Sequence, residues 1–405
     1  MTEKELTLDS VYKASYVLRD VVRKTDVLYA PKLAPGLELY LKTENLQVTG
    51  SFKVRGACYK MSQLSAEEKA KGVIACSAGN HAQGVALAAQ KNGIRAVICL
   101  PNGAPISKVE ATRSYGAEIC LVDGVYDDAY QKALELQNEF GYTFIHPFDD
   151  ADVIAGQGTI ALELIEQVPD LDAVLVPIGG GGLISGIAFT LKALNPNVKV
   201  YGVQASGAPS MLNSIHDSHI EALDSVFTIA DGIAVKQPGS LTYELCSRYV
   251  DEIVTVTDDE ISAAILALME RHKLVTEGAG AVAVAAAMFG KVDLAGKKAV
   301  CLLSGGNIDV TILSRVIARG LLMSGRSCQL LIELVDKPGQ LMQVSEIIAR
   351  EGGNVTAVFH EHTCEGADVN GCYLRLTLET RNFEHIAAIK GALSAAGFKL
   401  LERAA

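Results

Sequence analysis

The chain has 405 residues, of which 49% are hydrophobic and 20% charged, with a formal net charge of −11. That length exceeds one ordinary core and predicts two or three domains. The acidic balance, with no lysine and arginine cluster, excludes a nucleic-acid partner, and no apolar run is long enough for a membrane helix. The charged start Met1-Thr2-Glu3-Lys4-Glu5 lacks the apolar region of a secretory signal, so a cytoplasmic location is expected. The nine cysteines form no C-x-x-C pair and mostly sit in apolar runs, as Cys58, Cys76, Cys99 and Cys301 do. They read as reduced core residues rather than disulfides or zinc ligands, and no metal site is predicted.

In chain order, an amphipathic pattern from Leu6 to Val22 predicts a helix and Leu39-Tyr40-Leu41-Lys42 a strand. In Thr49-Gly50-Ser51-Phe52-Lys53-Val54-Arg55-Gly56, Ser51 is placed to cap a short helix through Tyr59 and Met61. Lys53 then lies in a first turn, where unpaired N–H groups carry partial positive charge. A buried lysine there is pushed toward the neutral amine, the form that makes Schiff bases with carbonyl carbon. Lys53 is therefore the candidate anchor for pyridoxal phosphate (PLP).

An α/β rhythm follows. Val73-Ile74-Ala75-Cys76 and Ala96 to Leu100 are buried strands flanking a helix from His81 to Asn92 that Gly93 stops. Ser107-Lys108-Val109-Glu110 fits a capping box, and Glu118 to Val122 is the next strand. After Phe148 the same rhythm resumes with the strand Ala173 to Val176, a helix through Leu194 and the strand Val198 to Val203. Thr257-Asp258-Asp259-Glu260 opens a helix to about Lys273, and Ala299 to Leu303 is a strand. Such alternation predicts a parallel sheet covered by helices, with ligands bound beyond the carboxyl ends of strands.

Three polar loops sit at such ends. Gly179-Gly180-Gly181-Gly182, ahead of a helix, predicts an anion nest suited to one monoester phosphate; it matches neither dinucleotide nor nucleoside-triphosphate fingerprints. In Ser77-Ala78-Gly79-Asn80-His81-Ala82-Gln83-Gly84, Ser77 and the helix-start N–H groups are candidates for a substrate carboxylate, and Asn80 for a cofactor hydroxyl. His81 is a weaker candidate proton carrier. In Ser304-Gly305-Gly306-Asn307, a neutral hydroxyl beside the pyridine nitrogen would leave the ring a modest electron sink, suited to α-proton removal with prompt loss of a β-leaving group. Glu277 either approaches the cofactor or substrate or caps the helix after it, and Asp231, a buried-looking carboxylate, either ligates a cation or, the better reading, pairs internally. After Arg326 the order β-α-β-β-α-β predicts a separate ferredoxin-like unit.

Taken together and in order, Ser51 to Gly56, Ser77 to Gly84, the glycine run and Ser304 to Asn307 resemble the threonine dehydratases (threonine ammonia-lyases), PLP enzymes of fold type II. The resemblance implies a two-lobed, tryptophan-synthase-β-like catalytic domain over 1–327, its smaller lobe at about 48–150. The segment 328–405 resembles an ACT domain, a regulatory amino-acid-binding module. By position, Lys53 would carry the cofactor and act as base, Phe52 would pack against the ring and Asn80 would bond the ring hydroxyl. Gly179, Gly180, Gly181 and Gly182 would hold the phosphate, and Ser304 would meet the pyridine nitrogen.

The implied reaction converts L-threonine to 2-oxobutanoate and ammonia, with L-serine as the slower substrate. The family also implies a homotetramer, an isoleucine or valine effector and a place in amino-acid metabolism such as isoleucine biosynthesis. The alternatives are a serine racemase or L-serine dehydratase of the same fold, or an inert amino-acid-sensing protein. Racemases of this kind resemble the chain except that a second serine stands at Ala78 and a metal-binding glutamate precedes Thr228, where this chain has Val226 and Phe227.

Overall fold

In the computed structural model, which describes residues 5–361 and 371–401, the strand and helix alternation of the first three hundred residues builds two sheets. The chain divides into the units Met1–Ile312 and Leu313–Ala405. In the first unit, a four-stranded parallel sheet runs in the order Glu118–Val122, Ala96–Pro101, Val73–Cys76, Thr143–Phe144. A six-stranded sheet runs Val27–Tyr29, Glu38–Lys42, Lys298–Leu302, Ala173–Pro177, Lys199–Ala205, Glu252–Val256. Its first pair is antiparallel and the rest are parallel. Val73–Cys76 and Ala173–Pro177 are buried at every residue, as strands covered by helices on both faces must be. One core gathers Val54, Met61, Ile98 and Ile145, and another gathers Val174, Ile184, Val200 and Val300.

Helix starts follow local chemistry where a cap is present. Thr7 begins the Leu8–Leu18 helix through a capping box with Ser10, so this helix is shorter than the Leu6 to Val22 pattern. Thr257 accepts from the Glu260 N–H, and Glu260 reaches back to the Thr257 N–H at 2.8 Å. Two expected caps are corrected. The Lys53–Ser62 helix starts at Phe52 with no side-chain cap, because Ser51 is drawn into a β-bridge with Gly305. The Ile106–Ser114 helix starts after Pro105, and Ser107 donates to Asp309 at 3.3 Å instead of capping.

The second unit has the strands Ser327–Val335, Asn354–Glu361, Gly371–Glu379 and Lys399–Leu401, with helices Gln340–Arg350 and Phe383–Ala395. The sheet is antiparallel, in the order Asn354–Glu361, Gly371–Glu379, Ser327–Val335, Lys399–Leu401. Alternate residues Leu330, Ile332 and Leu334 meet Leu374, Leu376 and Leu378 on one face and pack on Val344, Ile348, Ile389 and Leu393. That period-2 burial is what an antiparallel sheet with one helix-covered face requires.

Candidate active site

The loops after Val73–Cys76, Ala173–Pro177 and Lys298–Leu302 converge on one cavity of about 1050 Å³. Phe52, Lys53, Ser77, Asn80, Gly179 to Gly182 and Ser304 all line it, so every site residue read from the sequence lies at one place. The segment Thr49 to Phe52 reaches it by pairing with the Ser304 to Asn307 loop. The Phe52 N–H donates to the Ser304 carbonyl at 3.1 Å, the Gly306 N–H to the Gly50 carbonyl at 2.8 Å, and Asn307 Nδ2 to the Thr49 carbonyl at 2.8 Å.

That pairing holds the first turn of the Lys53–Ser62 helix at the cavity wall. Lys53 Nζ donates to the Pro147 carbonyl at 2.8 Å and stands 5.3 Å from the centre of the Phe52 ring. Burial pulls the Lys53 ammonium down to about 8, against the opposing pull of Glu277. Roughly a tenth of the amine is then neutral at pH 7, far more than for an ordinary lysine.

Glu277 is 4% exposed. Burial, reinforced by Asp231, pushes its carboxyl up to about 7, while the hydrogen bond from Asn80 opposes the shift. It begins the Gly278–Met288 helix without a side-chain cap bond. Instead Glu277 Oε1 accepts from Asn80 Nδ2 at 2.6 Å, and Asn80 Oδ1 accepts from Asn307 Nδ2 at 2.8 Å. The chain Asn307, Asn80, Glu277 thus ties the loops after Lys298–Leu302 and Val73–Cys76 to the start of the Gly278–Met288 helix. Gly305 is glycine for the same reason: a Cβ there would strike the Glu277 carboxylate.

Ser304 is 2% exposed and donates to the Ala279 carbonyl at 3.2 Å. The Ser77 hydroxyl accepts from the Gly79 N–H at 3.2 Å, just ahead of the Asn80–Asn92 helix. His81 faces the Ile145 carbonyl at 2.8 Å, and burial, with Lys53 adding to it, lowers its imidazole to about 3. A neutral ring bound to a backbone carbonyl is a structural histidine, which corrects its candidacy as a proton carrier. Asp231 pairs internally as expected, with Lys108 at 2.5 Å on the cavity lining, but its side chain is 59% exposed rather than buried.

The glycine run is glycine because protein atoms crowd it. A Cβ on Gly182 would lie 2.7 Å from the Phe148 carbonyl oxygen, and one on Gly180 would enter the Phe148 ring. Gly181 has φ +97° and would meet Thr242 Cβ at 2.8 Å. Thr242 Oγ1 fixes the loop by donating to the Gly180 carbonyl at 2.6 Å. What remains directed to the cavity is backbone, ending at the first turn of the Gly182–Leu194 helix, whose N–H groups have no intrahelical acceptor. Asn307, Thr242, Phe148 and the Pro147 carbonyl went unassigned in the sequence, since only tertiary packing brings them to the loops.

A half-buried lysine amine, a helix-start glycine loop and a neutral hydroxyl in one cavity form the donor set a PLP site needs. The family of pyridoxal-phosphate-dependent enzymes matches residues 18–305, and the chain belongs to it. Among similar proteins, the L-threonine ammonia-lyase of Thermotoga maritima is 48% identical over 397 residues, 98% of this chain and 99% of that one. The processed form of threonine deaminase isoform 2 from Solanum lycopersicum is 39% identical, with a TM-score of 0.73, over 79% of this chain and 91% of that one. Maize serine racemase is 36% identical, with a TM-score of 0.74, over 79% of this chain and 99% of that one.

Proposed function

We propose that this chain, a pyridoxal-phosphate-dependent lyase, deaminates L-threonine to 2-oxobutanoate and ammonia, with L-serine to pyruvate as a slower activity. The observation that carries the reading is the half-buried Lys53 amine, its proton affinity lowered by desolvation, in the same cavity as Gly179 to Gly182 and Ser304. The cofactor, when bound, supplies an electron sink for the substrate α-carbon. Lys53 would hold it covalently, Gly179 to Gly182 would hold its phosphate, Phe52 would pack on its ring, and Asn80 would bond its hydroxyl.

The remaining steps belong to the chain's own groups. Ser77 and the N–H groups at the start of the Asn80–Asn92 helix bind the substrate carboxylate. The Lys53 amine, whose proton affinity burial has lowered, takes the α-proton. Ser304 would be a neutral hydroxyl partner for the cofactor's pyridine nitrogen, which would suit elimination of the β-hydroxyl better than transamination. Water is lost in that step and regained on hydrolysis, so threonine yields 2-oxobutanoate and ammonia in balance.

Racemisation is the competing reading, because maize serine racemase has a similar fold. It needs a second proton donor on the opposite face, and Ala78 on the cavity lining has no proton to give. We further propose that 328–405 is a ferredoxin-like ACT domain binding isoleucine or valine, that the enzyme is a cytoplasmic homotetramer, and that it serves amino-acid metabolism. Among the described residues no helix is long and apolar enough to cross a membrane.

The test is to reduce purified protein with borohydride, identify the labelled lysine, and assay 2-oxobutanoate from threonine. Label at Lys53, loss of visible absorption in Lys53→Ala, and oxo acid from threonine are expected. Label on another lysine would overturn the site; D-serine from L-serine without oxo acid would overturn the reaction.

A further inference from the structure

The second unit brings together three side chains that the lyase reaction does not use. Asp336 follows the end of the strand Ser327–Val335, His360 lies near the end of Asn354–Glu361, and Cys372 lies near the start of Gly371–Glu379. The antiparallel register places these strand ends side by side, with Leu334 opposite Cys372 and His360 opposite Leu374. One ligand atom from each residue lies within 4.8 Å of the other two. His360 Nε2 is 3.0 Å from Cys372 Sγ. Cys372 is buried at 2% exposure, whereas Asp336 and His360 are exposed, so an ion could enter from solvent and meet a sulfur shielded from it.

We propose that Asp336, His360 and Cys372 form a binding site for a divalent transition-metal ion of the zinc type. The donor set decides the class. A carboxylate oxygen, an imidazole nitrogen and a thiolate sulfur suit zinc or cobalt, whereas calcium and magnesium take oxygen alone. The geometry is close to what a tetrahedral ion asks: a zinc–sulfur bond of about 2.3 Å and a zinc–nitrogen bond of about 2.0 Å put S and N roughly 3.5 Å apart. From 3.0 Å, the His360–Cys372 pair needs only a small opening.

Binding displaces the Cys372 thiol proton to solvent, and the thiolate with the Asp336 carboxylate balances the two charges of the ion. The fourth position is left to water or another ligand. An ion here ties three strand ends of the antiparallel sheet together. Local sequence offers no sign of it, since the three residues come from two strands and the turn after a third, and match no short metal motif.

The experiment uses the full-length holoenzyme, stripped with chelator and dialysed against zinc sulfate, with zinc counted per chain and zinc-edge X-ray absorption recorded. One retained zinc per chain with a sulfur scatterer at about 2.3 Å is expected. His360→Ala and Asp336→Asn alter exposed residues and keep the core. Each is expected to weaken zinc binding beyond the roughly 10–100-fold that loss of an outer-shell partner costs. Cys372→Ser should remove the sulfur scatterer. Zinc with only nitrogen and oxygen neighbours, unchanged affinity in His360→Ala, or no zinc retained above the variants would overturn the proposal.

Discussion

Glu277 shows how one buried carboxyl can serve a site and tax the fold. Its carboxyl is pushed up to about 7 from an ordinary 4.5, first by burial and then by Asp231. Between those two values the folded chain binds more protons at this position than the unfolded chain does. The stability it contributes is therefore present below pH 4.5 and is lost as pH rises through about 7. At about 1.4 kcal/mol per unit, the loss is on the order of 3 kcal/mol. Glu277→Gln keeps an acceptor for Asn80 and removes the charge. Urea denaturation of the apoprotein at pH 5 and pH 8 should show wild type losing stability relative to Glu277→Gln by about that amount. Parallel pH profiles for the two proteins would refute the assignment. Ser77, Asn80, Ser304 and the four glycines could be read as site candidates because their loops follow strand ends, and Lys53 because it falls in a helix's first turn. The network that Asn307 and Glu277 build around Asn80 was not, since its members are remote in the chain and neutral or buried.

At the scale of elements, the Lys53–Ser62 helix is held by charge as well as by apolar packing. Arg55, 1% exposed, grips Glu44 with Nε at 2.9 Å and Nη2 at 2.8 Å, and its Nη1 reaches Glu163 at 2.6 Å. Lys42 completes the cluster by donating to Glu163 at 2.5 Å and to the Thr25 carbonyl at 2.7 Å. The cluster ties the helix carrying Lys53 to the Glu38–Lys42 strand and the Ala151–Gln167 helix. Removing Arg55 leaves the buried Glu44 carboxylate without its ion-pair partner, which costs about 3–5 kcal/mol. Arg55→Met should lower the unfolding free energy of the apoprotein in urea by that much, and a loss under about 1 kcal/mol would mean the cluster is solvated. The helix itself was visible in the sequence, but its start was misread. Ser51 satisfies the local rule for a cap, and the long-range bridge to Gly305 overrides it. The Thr257 box has no such competitor and forms as its sequence dictates.

For the whole molecule, the strand and helix rhythm foretold a parallel sheet in the first unit and the β-α-β-β-α-β order in the second. It could not foretell that the first unit splits its strands into sheets of six and four, because strand order depends on crossovers between remote segments. In the second unit the turn Asp336-Lys337-Pro338-Gly339 leads into the Gln340–Arg350 helix with Gly339 at φ +93°, a conformation that any larger side chain strains. Under the proposed ACT reading this turn binds an amino acid, and control follows only if that ligand prefers one of two states of the enzyme. A typical coupling of 1–3 kcal/mol predicts that saturating isoleucine or valine shifts the threonine concentration at half-maximal rate by roughly 5- to 150-fold. Gly339→Ala should weaken the effector's apparent affinity while leaving the rate without effector unchanged, since no residue of that turn lines the lyase cavity. Rate assays and sedimentation with isoleucine, valine, threonine and serine test it together. If none of the four alters either the rate or the assembly, the regulatory reading fails while the lyase assignment stands.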